Sequence, residues 1–279
     1  MSGTVTDSVA VLFVPGDRPE RFARAAATGA LVVIDLEDAV RPGDKPAARD
    51  AARSWLAAGN RAVVRINGVG TEWHAADVAA LSTVDGATAM LPKAEEPAAI
   101  EALADALGPS PSVIALVETA AGVLNAARVA LAPGVLRLAF GHLDLAAQLG
   151  VDPGDRSALQ TCRSTLVLAS AAAGLPGPID GVTTDLSDDG PLAADAAYAR
   201  TLGFTGKLCI HPRQIAVVAG VFGPTADELA WATRIMSAAG DTTAVVTVDG
   251  HMVDRPVVER ARRLLARADT TGETGGADA

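Results

Sequence analysis

Eight short apolar runs punctuate this chain, and each gives way to polar residues. Residues 9–14 pass into Pro15-Gly16-Asp17-Arg18, 31–36 into Glu37-Asp38, 62–64 into Arg65-Ile66-Asn67, and 87–91 into Pro92-Lys93. Residues 113–117 pass into Glu118, 135–140 into Gly141-His142, 179–182 into Thr183, and 208–210 into His211. Runs of this length, separated by helix-length stretches, are the pattern of buried parallel strands joined by crossover helices. Eight of them in 279 residues predict an α/β fold, a closed (β/α)8 TIM barrel. Polar side chains at the C-terminal ends of barrel strands face a shared mouth, which makes Arg65, Lys93, Glu118, Asp144 and His211 site candidates by position.

Helices are expected over residues 18–27, 45–57, 71–81, 97–107 and 120–130. The stretch 145–178 is longer than its equivalents; a loop around Asp152-Pro153-Gly154-Asp155 is expected there, then a helix over 157–173. Extra length after one strand usually shapes a site. Beyond His211 the alternation stops. A helix over 213–221 is followed by Thr225-Ala226-Asp227-Glu228, a capping box that opens another helix. Residues 245–248 and 251–253 flank Asp249-Gly250 as an apolar hairpin, and Asp254-Arg255-Pro256 opens a last helix. The organisation expected is a catalytic barrel over 1–223, a lid or oligomerisation segment over 224–268, and a disordered Gly-, Thr- and Asp-rich tail over 269–279.

Bulk properties exclude several classes. Half the chain is apolar (49%) but only 3% is aromatic, so a large core must be built from small and branched aliphatic groups. A net charge of −10 argues against a nonspecific nucleic-acid binder, which needs a basic face, and leaves room only for a local basic pocket. The two cysteines, Cys162 and Cys209, lie far apart without metal-ligand spacing, so neither a structural zinc site nor a disulfide framework is expected. No basic leader precedes the first apolar run, and no stretch approaches the ~20 residues of a membrane span. A soluble cytoplasmic protein is expected.

The chemistry-bearing residues each carry two readings. Glu118 and Asp144 follow neighbouring strands, and hard oxygen ligands completed by water and substrate suit Mg²⁺; both could instead serve helix starts. Arg65 at an apolar strand end needs an anion, either a substrate carboxylate held bidentately or the acidic cluster Asp35, Glu37 and Asp38. Arg18, Arg21 and Arg24 stand out in an acidic chain as phosphate contacts for a nucleotide-bearing ligand, or as a solvated helix face, and Lys45 lies in a Gly43-Asp44-Lys45-Pro46 loop after the second strand. A P-loop, a Gly-rich dinucleotide fingerprint and a Gly-x-Ser-x-Gly elbow are all absent from the sequence. His211 receives no proton-transfer role, and His74, His142 and His251 form no metal or triad pattern. Asp254 reads first as an N-cap, with a lid over a neighbouring subunit's mouth as the alternative.

Seven segments carry a family likeness: residues 13–22 (FVPGDRPERF), 35–40 (DLEDAV), 65–67 (RIN), 91–93 (LPK), 115–122 (ALVETAAG), 206–215 (GKLCIHPRQI) and 249–256 (DGHMVDRP). In these the chain resembles the citrate lyase β-subunit and malyl-CoA lyase family of CoA-ester lyases, over nearly its whole length. The resemblance implies a TIM barrel in a trimer or hexamer, Mg²⁺ on Glu118 and Asp144, and a CoA-thioester substrate. It further implies Arg65, Glu37 and Asp254 as catalytic residues, with Asp254 supplied by a neighbouring subunit. Arg18, Lys45, Arg65 and Lys93 become the substrate and CoA contacts. One motif departs: where relatives carry Gly-Ala-Glu-Asp-Leu, this chain has Gly141-His142-Leu143-Asp144-Leu145, so metal affinity or acyl-group choice is expected to differ. The reaction implied is carbon–carbon cleavage of a carboxylated 3-hydroxyacyl-CoA thioester of the malyl, citramalyl or citryl kind. Alternatives are a metal-dependent aldolase on free 2-oxo acids, a citrate lyase β-subunit working in a complex, and a retired barrel that only binds CoA esters.

Overall fold

Alternation of inward and outward side chains along eight parallel strands builds the core and aims the site. The computed structural model describes residues 5–110, 112–239 and 246–272. In chain order the first part runs β1 (Ala10–Pro15), α1 (Phe22–Ala26), β2 (Leu31–Asp35), α2 (Lys45–Ala57), β3 (Val63–Arg65), α3 (His74–Leu81), β4 (Thr88–Leu91), α4 (Pro97–Leu107) and β5 (Val113–Val117). It continues with α5 (Ala120–Leu124), α6 (Ala126–Ala130), β6 (Val135–Phe140), α7 (His142–Leu149), α8 (Arg156–Ala172), β7 (Ile179–Asp180), α9 (Asp189–Leu202), β8 (Gly206–Cys209) and α10 (Gln214–Phe222). The strands close in sequence order, β8 returning to β1 with Leu208 opposite Val11. This is the (β/α)8 barrel expected from the apolar runs.

One residue or more per strand fills the barrel interior: Val11, Val33, Val63, Met90, Ile114, Leu116, Ala139, Ile179 and Leu208 form a single buried cluster. Because strand side chains alternate with period two, the residue two places further along most of these strands faces the same way, one layer nearer the mouth. That layer contains Phe13, Asp35, Arg65, Glu118, Gly141 and Ile210, all of which line one cavity. At the opposite end the same parity brings Arg137 inside the barrel, fully buried. Its guanidinium donates to the carbonyls of Ser8 (2.6 Å) and Gly177 (2.8 Å) and to Thr205 Oγ1 (2.8 Å), closing the floor.

Helices α2 and α4 have the predicted bounds, whereas others differ for local reasons. The helix expected over 18–27 begins as a 3-10 turn at Pro19–Arg21, and that over 71–81 starts at His74. The helix expected over 120–130 breaks at Asn125, whose amide reaches out to the carbonyl of Glu95 (3.0 Å). Helix α7, with Asp144 in its first turn as the helix-start reading had it, fills the stretch after β6 and ends at Gly150 in the left-handed region (φ 70°). Asp155 then caps α8 by accepting from Ser157 N at 2.8 Å. Residues 214–239 are long and apolar enough, by length and composition, to cross a membrane, which corrects the expectation that no stretch approaches that length. They fold as two helices, because the predicted Thr225 capping box forms: Glu228 N donates to Thr225 Oγ1 (3.2 Å) and Thr225 N to Glu228 Oε2 (2.8 Å).

The chain divides into two compact units, residues 2–219 and 220–279. The second contains α11 (Ala226–Ala239), β9 (Val246–Val248), β10 (His251–Val253) and α12 (Arg255–Gly272). Asp249 (φ 52°) and Gly250 (φ 78°) both take positive φ, as a two-residue hairpin turn requires; Val245 lies outside the described residues. Ala232, Ile235, Val253, Ala261 and Leu264 form this unit's core. Helix α12 continues to Gly272, so residues 269–272 are helical where an unstructured tail was expected, and 273–279 lie outside the described residues.

Candidate active site

The ends of β2, β3 and β5 place three acids and an arginine around one opening. Asp35, the last residue of β2, accepts Arg65 Nε (2.7 Å) and Nη2 (2.6 Å) in a two-pronged pair across the β2–β3 ladder. Arg65 Nη1 lies 3.2 Å from Glu37 and 3.3 Å from Asp38, and the guanidinium packs 4.9 Å from the Phe13 ring centroid. Of the two readings of Arg65 left open by the sequence, the structure shows the acidic cluster as its partner. Burial opposes its charge, but the carboxylates outweigh this and raise its pKa further.

Glu118 follows β5, and Asp144 lies in the first turn of α7. Both carboxylates stand 3.7 Å from the same Lys93 Nζ, which also donates to Glu37 Oε1 at 3.0 Å. The close approach has backbone causes. Lys93 adopts a positive φ of 50°, which aims its N–H at Glu118 Oε1 (3.0 Å). Gly141 is needed opposite, since a Cβ there would lie 2.5 Å from Glu118 Cβ. Burial, then the charges of Glu37 and Asp144 against the pull of Lys93, push the Glu118 carboxyl up to about 7. Burial is also the largest influence on Glu37, raising it. Lys93 feels the reverse: burial lowers it, but the three acids prevail and push it up to about 12.

This cluster suits a divalent cation. Its oxygens are hard donors, its carboxylates are short of positive charge, and the cation already among them, Lys93, is on a side chain 46% exposed. Among the described residues no three His, Cys, Asp or Glu are grouped at metal-binding spacing, so Glu118 and Asp144 would supply two ligands, leaving open positions to water and substrate as Mg²⁺ prefers. The cavity beside them measures about 400 Å³. Its acidic and cationic side faces an apolar wall of Leu116, Phe140, Leu143, Val182, Leu208 and Ile210. Leu143 thus takes part in the site as an apolar lining residue next to Asp144.

Other predicted residues fall elsewhere. Lys45 is 4% exposed, and its three N–H bonds go to Leu36 O (2.7 Å), Glu37 O (2.8 Å) and Asn67 Oδ1 (2.6 Å). It has no donor left for CoA, and holds the loop that carries Glu37. Arg18 is an exposed residue beyond β1, 3.8 Å from Asp17, and Arg21 is likewise exposed. His211 Nδ1 accepts from Arg213 N (3.2 Å) at the start of α10. Within its own unit Asp254 accepts from Val257 N (3.3 Å), the N-cap role read from sequence. Sequence reasoning missed Asp77, fully buried and bonded to Asn67 (2.6 Å) and Arg49 (2.6 Å). A lone acid in the otherwise apolar His74–Leu81 segment was the available signal.

Residues 9–212 match the family model described as HpcH/HpaI aldolase/citrate lyase. A citrate lyase subunit beta-like protein of Mycobacterium tuberculosis is 42% identical, covering 92% of this chain and 94% of that protein. A (3S)-malyl-CoA thioesterase of Cereibacter sphaeroides is 35% identical over 95% of this chain and 96% of its own length. The crystal structure of CitE from M. tuberculosis with magnesium, acetoacetate and coenzyme A superposes with a TM-score of 0.83 at 40% identity, covering 94% of this chain and 98% of that one. With the barrel, the acid pair and Arg65 in place, the chain belongs to the HpcH/HpaI aldolase/citrate lyase family.

Proposed function

We propose that this chain breaks, or in reverse forms, the carbon–carbon bond of a carboxylated 3-hydroxyacyl-CoA thioester of the malyl, citramalyl or citryl type, releasing acetyl-CoA and a 2-oxo acid. Mg²⁺ held by Glu118 and Asp144 is part of the proposal. The observation that carries it is the convergence of these two carboxylates on one ammonium group, 3.7 Å from each, beside a guanidinium. The complex of the CitE relative with magnesium, acetoacetate and coenzyme A supports the same ligand set.

A divalent cation there supplies Lewis-acid polarisation of the carbonyl that forms on cleavage. The remaining work falls to the chain. Arg65, held by Asp35 and packed on Phe13, orients the substrate carboxylate, which replaces exposed Asp38 at Nη1. Lys93 adds positive charge where the substrate oxygens gather. The wall formed by Phe140, Leu143, Val182 and Ile210 keeps water from the acetyl-CoA enolate until it is protonated. Asp254 of a second copy is the group proposed to move protons, on the family resemblance, and implies a homo-oligomer. Arg18 remains the proposed CoA contact, and Lys45 is replaced in that role by none of the residues around it.

Purified protein with Mg²⁺ is expected to release acetyl-CoA from at least one such thioester. Glu118→Ala and Asp144→Ala should each lower kcat/KM on the order of 10³-fold, since metal polarisation is worth several kcal/mol. Activity indifferent to both substitutions and to metal removal would sink the assignment. A second reading, thioester hydrolysis, is favoured by the relatives named malyl-CoA thioesterase; it yields free CoA and the hydroxy acid instead, and product chromatography separates the two. Turnover of the free hydroxy acid as fast as its thioester would favour an aldolase.

A further inference from the structure

Outside the barrel wall, β7, β8, α8 and α9 enclose a second cavity of about 150 Å³. Ile179 and Leu208 point into the barrel, so Asp180 and Lys207 beside them face the layer where strands meet helices. On other strands that layer is filled by Leu12, Ile34, Val64, Ala115 and Leu138, all buried. Charges there are out of pattern. Lys207 Nζ donates to Asp180 Oδ2 (3.1 Å) and to the Gly181 carbonyl (2.5 Å), while Arg163 of α8 donates from Nε to Asp180 Oδ1 (2.9 Å). The Arg163 guanidinium lies between the rings of Phe140 (5.0 Å) and Tyr198 (5.8 Å).

Two buried cations thus share one carboxylate. The side chains of Arg163, Asp180 and Lys207 are 8%, 2% and 1% exposed, a setting where an uncompensated charge is costly. Among the described residues, none accepts a hydrogen bond from the terminal nitrogens of Arg163, a residue that lines the cavity. The next acid, Asp195, is taken up by Arg156 (3.1 Å) and Thr183 (2.9 Å), and Asp185 at the rim accepts from the Ser187 hydroxyl (2.6 Å). Thr184 adds an exposed hydroxyl. His142, Leu143 and Val182 stand in the walls of both cavities.

We propose that this second cavity is a carboxylate-binding subsite, in which the terminal N–H groups of Arg163 grip a small organic carboxylate beside Thr184. The carboxylate is either the far end of a dicarboxylic 2-oxo acid reaching past Leu143 or a separate small acid. Acetate titrated calorimetrically into the full chain, stripped of divalent ions, is expected to bind. Affinity should fall at least tenfold in Arg163→Gln, which keeps an amide with two donor hydrogens on a shorter stem but not the charge. Thr184→Val, at an exposed position, should weaken binding by a smaller factor, and a thermal melt checks that each variant is folded. With Mg²⁺ present, a loss of oxaloacetate but not pyruvate affinity in Arg163→Gln identifies the substrate's far carboxylate as the occupant; equal oxaloacetate affinity with lost acetate binding identifies a separate acid. Absence of acetate binding, or binding undiminished in folded Arg163→Gln and Thr184→Val, overturns the proposal.

Discussion

Glu118 sets how the site meets pH. Its carboxyl is raised to about 7 by burial and by neighbouring acids, so below that value the folded, metal-free chain favours the protonated form. For a group raised in this way the stabilising contribution is present below the unfolded value of 4.5 and is lost as pH rises through about 7. The proposal makes Glu118 a metal ligand, which must be deprotonated, so Mg²⁺ is expected to compete with this proton. Calorimetric Mg²⁺ affinity is therefore expected to strengthen roughly tenfold per pH unit at most between pH 5 and 7 and to level off above. Glu118→Gln should bind weakly and without that slope; an unaltered slope would assign the proton to another group. Much of this was readable from the chain, since Glu118 ends an almost wholly apolar run. The role of Lys93 was not, because its position among three acids depends on a positive φ that nothing in Leu91-Pro92-Lys93 announces.

At the scale of elements, the loop between β2 and α2 carries Glu37 and Asp38 and is fixed from below by one side chain. Lys45 opens α2 and binds two loop carbonyls and Asn67, which is held in turn by Asp77 of α3 and, through it, by Arg49. Lys45→Met keeps the length of the chain but strands these acceptors in a buried place. A stability loss of about 3 kcal/mol is expected, measurable by urea denaturation, with raised KM for the thioester as Glu37 and Arg65 lose register. A change under 1 kcal/mol would show that the loop holds without it. The partners of Lys45 were not legible in the sequence, because a lysine near a strand end looks the same whether it faces solvent or a ring of carbonyls.

For the molecule as a whole, the proposed ion would link ligand binding to barrel stability, because Glu118 and Asp144 come from separate strand–helix units and one ion on both would tie them. Mg²⁺ at about a hundredfold excess over its Kd should add about 2.7 kcal/mol, seen as a rise of roughly 5 °C in Tm. Asp144→Asn, at a side chain 48% exposed, is expected to fold normally and lose the shift; an undiminished shift would place the ion elsewhere. The order of eight strands, their bounds to within two or so residues and the side of the barrel that bears the site all followed from the sequence, because apolar runs and their polar ends are local features set by period and length. What only the tertiary structure decided is which charges meet: Arg65 with Asp35, Lys93 with three acids, Lys45 with carbonyls, Arg163 and Lys207 with a single Asp180. Such pairings join residues up to 56 positions apart, as Lys93 and Glu37 are. They depend on strand register and barrel closure, which no window of sequence contains.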